Sequence, residues 1–463
     1  MILKSFLMST ALAISLAGAA AAQSTEIRLN VDQMRQLAAD TMANQQWAEA
    51  RALAEALLER DPNDLTALTI LATTAFQMGD MTAAREAAAA IYRSGAEDRR
   101  RYEAARLAAL AAANQERFGL GEIWLRRALT VAPSDDELRL TVRDAAGLRR
   151  LNPWSSNIRL SFAPSNNVNG GADSELNIID GVPLVGILSA SAQALDGWLG
   201  QGEVSLSYRL RQNETSRTTV SALANGRFVI LSEDAQAKLD ADTLDTAEAE
   251  DFSTGRLQFS LGHDQVAERG QFGLDGSIGA YWSGTELDYT YLRLGADRTV
   301  SIDAANALRG SFYVEQRFDP DDSIPEDRVY YVQGQYIRNL EGGSQASATL
   351  AWSARRSDNL NDDYESWTVQ AGYSHGEKIG PARLSGYLGY QNLQYDDYFV
   401  GFIQVPDGRE DNKVFGSLEA VFSDYAYAGF APVVRLNAAT TDSNISRFEL
   451  DEFNIEIGVR STF

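Results

Sequence analysis

The chain changes its hydrophobic rhythm once. From about Asn30 to Arg150 apolar residues recur at helical spacing, whereas beyond Trp154 they alternate one by one with polar residues. The last stretch, residues 448–463, carries the alternation most clearly. Phe453, Ile455, Ile457, Val459 and Phe463 share one face, and Asn454, Glu456, Gly458, Arg460 and Thr462 share the other. A strand that is wholly apolar on one side suits lipid outside and water inside, which is the wall of a transmembrane barrel. Residues 203–211, 271–282, 367–374, 383–391 and 413–422 repeat the period, for example with Val204, Leu206, Tyr208 and Leu210 on one side. Comparable segments number about fourteen, each long enough to cross a bilayer at a tilt. Long connections are expected at 164–199, 231–251, 318–327, 358–365, 393–411 and 440–447, and short ones at 212–216, 339–343, 376–380 and 424–428. Long outer loops alternating with short inner turns complete the barrel pattern, and an even strand count returns the C-terminus to the side of the helical segment.

The helical segment repeats at roughly the 34-residue period of tetratricopeptide repeats. In the first block Trp47, Ala50, Leu57 and Asp61-Pro62-Asn63 occupy the packing aromatic, the small position and the helix-ending proline. The second supplies Leu68, Leu71, Ala72, Phe76, Gly79, Met81 and Ala84, and the third Phe118, Gly121, Ala128 and Pro133. Small residues at Ala50, Ala84 and Gly121 let paired helices approach, and proline ends a helix by removing an N–H donor. Such repeats form solenoids that dock peptides or proteins, so a docking arm is expected, with a plain spacer as its alternative. Residues 135–151 read as a capping helix, which Asn152-Pro153-Trp154 ends because the residue before proline is pushed out of helical geometry. The expected fold is therefore an N-terminal tetratricopeptide-like α-solenoid followed by a roughly 14-stranded antiparallel transmembrane β-barrel.

Composition narrows the function. The 463 residues include no Cys, two His and a formal net charge of −23, which excludes disulfides and thiolate metal sites and argues against a nucleic-acid partner. Residues 1–22, with Lys4, an apolar run and Ala20-Ala21-Ala22, read as a secretory signal peptide. That gives three expected parts: a signal peptide at 1–22, a periplasmic helical domain at 23–151 and an outer-membrane barrel at 152–463. The parity of the strands then turns arginines inward. Arg209, Arg211, Arg217, Arg227, Arg256, Arg293, Arg309, Arg355, Arg383, Arg435 and Arg460 are expected in the lumen, against Glu203, Asp275, Glu315, Glu419 and Glu456. They would either focus an electric field on an anionic passenger or lattice the wall through Arg–carboxylate pairs. His263 and His375 fit no catalytic or metal-ligand spacing, and the acidic loops around Asp319 and Asp358 lack calcium-loop spacing, so no enzyme, metal or cofactor is expected.

Three short motifs add a resemblance. Asn152-Pro153-Trp154 precedes the first strand; Asn166-Asn167-Val168-Asn169 follows it; and Ser443-Asn444-Ile445 enters the final strand, which ends in Ile457-Gly458-Val459 and Phe463. With the helical repeats and the barrel, these resemble the surface lipoprotein assembly modifier (Slam) family of outer-membrane proteins. The resemblance implies assistance in moving client lipoproteins or secreted proteins to the cell surface. Its partners would be that client, outer-membrane lipid and the barrel assembly machinery. The terminal Phe463 resembles the signal by which barrels are delivered to that machinery. An exopolysaccharide export porin with a helical arm and a simple diffusion porin are the alternatives.

Overall fold

The computed structural model describes residues 29–179, 182–320, 327–427 and 429–461. The expected signal peptide and Phe463 lie outside the described residues. Among the described residues, seven helices precede the first strand: α1 (Val31–Ala43), α2 (Trp47–Arg60), α3 (Leu65–Gln77), α4 (Met81–Arg93), α5 (Asp98–Asn114), α6 (Phe118–Leu129) and α7 (Asp135–Leu151). The chain divides into two compact units between Ala96 and Glu97, so α1–α4 form one unit and α5–α7 belong with the barrel.

In the first unit, Ala38, Ala50, Ala54, Leu57, Ala67 and Ile70 form the core, with side chains small enough for close helix approach. Two helix starts are built alike. Asp64 accepts hydrogen bonds from the Thr66 and Ala67 backbone N–H groups at the start of α3, and Arg35 of α1 donates to its other oxygen at 2.8 Å. Asp80 accepts from Ala83 N–H at the start of α4, and Arg51 of α2 donates to it at 3.1 Å. Burial pushes the Asp64 carboxyl up, but the Ala67 N–H, Arg35 and the Thr66 N–H outweigh it and hold the group below its ordinary 3.8. The Ala83 N–H and Arg51 depress Asp80 in the same direction.

Both carboxyls bind protons less readily folded than unfolded. Their stabilisation is complete above about pH 5 and is lost as pH falls through 3.8 and the lower folded values. The helical unfolding midpoint should therefore drop on acidification, and Asp64→Asn should flatten that drop. Asp64→Ala should cost about 1 kcal/mol at neutral pH, the usual value of a lost N-cap. Thermal unfolding followed by circular dichroism across pH 3–7 in about 0.15 M salt checks both effects.

In the second unit, Gly121 of α6 lets the helices approach closely: a Cβ there would stand 2.8 Å from a Leu148 methyl of α7 and 3.3 Å from the Ala109 carbonyl of α5, so these would have to give way. The barrel follows directly. The strands are β1 (Trp154–Ser165), β2 (Leu176–Ile179), β3 (Val182–Ile187), β4 (Gly197–Gln212), β5 (Ser216–Leu231), β6 (Thr254–Ala267), β7 (Gly270–Ser283), β8 (Glu286–Ser301) and β9 (Asn306–Phe318). They continue with β10 (Arg328–Asn339), β11 (Gln345–Arg356), β12 (Tyr364–Ser374), β13 (Arg383–Tyr395), β14 (Phe399–Val400), β15 (Ile403–Gln404), β16 (Arg409–Val421), β17 (Phe430–Ser443) and β18 (Leu450–Ser461). Fourteen of them close an antiparallel barrel, while β2–β3 and β14–β15 form hairpins in the loops.

Alternation follows the sequence expectation. Phe453, Ile455, Ile457 and Val459 are exposed outward, while their neighbours are partly covered. An apolar outer band on a closed barrel is the architecture of an outer-membrane protein. The long connections gather at one end, together with a tight turn at Gly284 that the sequence pattern does not announce; the short turns gather at the other, where α7 enters β1. Closure is uneven. Among the described residues, the seam of β1 with β18 aligns five residue pairs and β1 with β4 twelve. The seam skips Ala163 and Pro164, and proline has no N–H to donate.

Candidate functional site: the lumen and the loops that close it

Residues directly opposite in an antiparallel ladder share a face, so register assigns each arginine its side. Arg227, Arg256, Arg309, Arg435 and Arg460 stand on the inward rows, opposite Gln201, Tyr281, Gln335, Glu456 and Arg159 respectively. Arg211 does not follow the simple alternation. A bulge between Arg209 and Arg211 sets Arg211 opposite Thr218, on the row of Val220 and His263, so its parity is outward at the short-turn rim. Arg209 remains inward but works at the rim: its Nη2 donates to the carbonyls of Arg150, Leu151 and Asn152. A cation on the last carbonyls of α7 satisfies acceptors that a helix end leaves open and complements its dipole. Asn152 adds a second tie, donating to Glu122 of α6 at 2.7 Å.

Deeper in the lumen the arginines divide by partner. On β6–β9 they lie over tyrosines. Arg293 Nε and Arg317 Nε donate at 2.9 and 2.8 Å to the two oxygens of Glu315, which is 1 % exposed. Their guanidiniums lie 4.5 Å from the Tyr313 ring centroid and 4.4 Å from that of Tyr289, and Arg256 lies over Tyr281 and Tyr291. On the opposite stretch of wall, β16–β18 with β1, carboxylates are shared. Arg435 contacts both Glu456 and Glu419, and Arg460 reaches Glu419 at 2.9 Å. Arg309 makes no ion pair among the described residues. Part of the wall is thus latticed by Arg–carboxylate pairs. Arg159, opposite Arg460, is an inward arginine that the strand-by-strand reading passed over although the same alternation places it.

The motif residues build the loops at the opposite end. Asn167, 2 % exposed, donates to Gly171 O at 2.7 Å and accepts from Gly171 N–H at 2.9 Å. Asn169 donates to the carbonyls of Ser191 and Gln193 and accepts from Leu195 N–H. Asn166 crosses the seam, donating to Asp451 O at 3.0 Å and accepting from Phe453 N–H at 3.4 Å. Carboxamides fit these places because each offers a donor and an acceptor to peptide groups. Asn444 ties Gly408 O and Glu410 N–H, Ser443 donates to Asp411, and Ile445, 0 % exposed, bridges to Ile179.

These ties seat two small cores. Val168, Ala190, Leu195, Leu199 and Val229 pack with Ala235 and Leu239 of α8 (Glu233–Ala241). Ile179, Tyr398, Val405 and Ile445 form the other. Sequence reasoning missed Asp173, whose carboxylate accepts from Asp451 N–H at 2.7 Å, and Ser446, which bonds Leu176 and Ile178. Both lie in loops, where no periodicity reports on contacts.

His263 sits beside the Thr218 hydroxyl at 2.9 Å and His375 beside the Tyr373 hydroxyl at 3.1 Å, so the two imidazoles meet no common site. Asp362 and Asp363 are engaged by Arg355 and Arg356. No cluster of three or more potential metal ligands occurs among the described residues.

No family model matches the chain, and no curated protein does. Among solved structures, Pseudomonas aeruginosa OccK9 (OpdG) is similar at 11 % identity over 66 % of this chain and 98 % of that one, with TM-score 0.36. The Yersinia enterocolitica type III secretion translocator chaperone SycD is similar at 17 % identity over 27 % of this chain and 86 % of that one, with TM-score 0.23. A mutant of MamA is similar at 15 % identity over 27 % of this chain and 70 % of that one, with TM-score 0.23. The fold rests on the strand register and helix packing of the chain itself.

Proposed function

We propose that this protein is an outer-membrane transport protein, and more specifically a non-enzymatic translocation assistant of the surface lipoprotein assembly modifier type. The helical repeats receive a client lipoprotein or secreted protein in the periplasm, and the barrel passes or positions it outward. The observation that carries the reading is the joint between the parts. Helix α7 runs into β1 at the short-turn end, and Arg209 of the barrel wall donates to the carbonyls of Arg150, Leu151 and the C-cap Asn152, so the helices of this unit are seated at the lumen mouth. The amide-stapled loops around Asn166, Asn167, Asn169 and Asn444 would then form the outer gate.

Surface labelling tests the reading. In a deletion strain a candidate client should stay cell-associated but become inaccessible to added protease. Full-length protein should restore exposure, and a variant lacking residues 29–96 should assemble yet restore less, since those residues form a compact unit of their own. If surface proteins are unaffected while secreted glycan disappears, an export porin replaces this reading. A change confined to small-solute uptake would leave a simple porin.

A further inference from the structure

We propose that the lumen holds a binding site for one anionic group, a carboxylate or a phosphate, between Arg159, Arg460 and Arg227 beside the β1–β18 seam. The site goes beyond client delivery and depends only on the lumen admitting solute.

The first observation is an imbalance of charge. A cavity of about 410 Å³ is lined by four arginines, Arg159, Arg227, Arg435 and Arg460, and by three glutamates, Glu203, Glu419 and Glu456. The lining is therefore one charge positive within a chain whose net charge is −23. The glutamates are also unevenly taken up. Arg435 bonds both oxygens of Glu456 through one nitrogen and shares Glu419 with Arg460. Glu203 approaches Arg159 only to 3.7 Å, beyond hydrogen-bond range. Arg227 makes no ion pair among the described residues, and its hydrogen bond goes to the Val168 carbonyl.

The second observation is register. Arg159 stands directly opposite Arg460 across the seam. Like charges in that position destabilise a strand pair. An anion between the two guanidiniums would reverse the sign of that contact and brace the seam.

The third is space. The next inward row runs Gly458, Ser161, Gln201 and Arg227, so two of its residues beside the Arg159–Arg460 row, Gly458 and Ser161, are small. The tyrosine-lined stretch differs, because Arg293 and Arg317 there are both held on Glu315 and lie over the rings of Tyr313 and Tyr289. A planar guanidinium fork suits carboxylate and phosphate oxygens. The anion could be a free solute or an aspartate or glutamate side chain of a polypeptide in transit, and these share one chemistry.

Calorimetric titration of the purified full-length protein in detergent with inorganic phosphate tests the site without requiring conduction or a client. Saturable one-site binding is expected. Arg159→Gln and, separately, Arg227→Gln should each weaken it at least about tenfold, the loss of one charge-assisted hydrogen bond. Arg309→Gln, inward but outside the cavity, should leave it unchanged. A heat-shifted band in detergent gels confirms that each variant is folded. Stability gives a second readout: without phosphate, Arg159→Gln should raise the unfolding midpoint by removing the like-charge contact, and phosphate should no longer raise it further. A short acidic peptide that displaces phosphate would assign the site to carboxylates of a passing chain; failure to displace would assign it to small anions. Absence of saturable binding to the unmodified protein, or equal binding to all three variants, overturns the proposal. Neither result touches the surface-exposure test of client delivery.

Discussion

Replacing Glu315 with alanine is expected to lower the stability of the barrel by about 3–5 kcal/mol, the usual consequence of removing one partner from a buried ion pair. Glu315 is 1 % exposed, and the side chains of Arg293 and Arg317 that bracket it are 20 % and 19 % exposed. Alanine would leave two largely buried guanidiniums facing each other without a counter-charge. The tyrosines would remain, but a cation–π contact contributes only about 0.5–2 kcal/mol and cannot replace the carboxylate. Glu315→Gln should lose less, since its amide oxygen still accepts one hydrogen bond. Urea unfolding in lipid vesicles, followed by tryptophan fluorescence, should show the midpoint falling in the order native, glutamine, alanine. An unchanged midpoint for the alanine variant would mean that lumen water already screens the triad.

Ile70→Asp should unfold the first helical unit while sparing the barrel. Ile70 is 2 % exposed in a core made otherwise of alanines and Leu57, with no cation among its members to receive a carboxylate. Burying an unpaired charge there should cost more than about 4 kcal/mol, a large share of the stability of a unit this small. Proteolysis should then cut within residues 29–96 while the heat-shifted barrel band persists, because the two units are separately compact. Leu71→Asp is the internal control: Leu71 is only half-buried against the same core, so its carboxylate can turn to water and the loss should be smaller. Loss of the barrel band with Ile70→Asp would contradict the independence of the units.

Part of this architecture was legible in the amino-acid pattern. Strict alternation along 453–460 needs different environments on the two faces of one strand, and its repetition over about fourteen strands of crossing length fits a closed barrel with lipid outside and water inside. Repetition of that pattern gave the strand number, and Pro153 gave the helix-to-strand boundary, because its ring excludes helical geometry at Asn152. The small residues Ala50, Ala84 and Gly121 likewise announced close helix packing.

Side-chain partnership was decided only in three dimensions. Alternation says which face a residue takes, but its neighbour depends on register with a strand that is distant in sequence, as Arg159 and Arg460 show. One extra residue in a bulge reverses the face, and so Arg211 leaves the lumen row on which Arg209 stands. Composition marked Asn166, Asn167 and Asn169 as a motif, yet their work as staples depends on peptide groups up to 287 residues away. The division into two compact units between Ala96 and Glu97 likewise comes from tertiary contacts. The sequence determined the faces and the elements, since these follow from local periodicity and sterics. Tertiary structure decided which charges meet, because an ion pair or a cap depends on distances that only the folded chain sets.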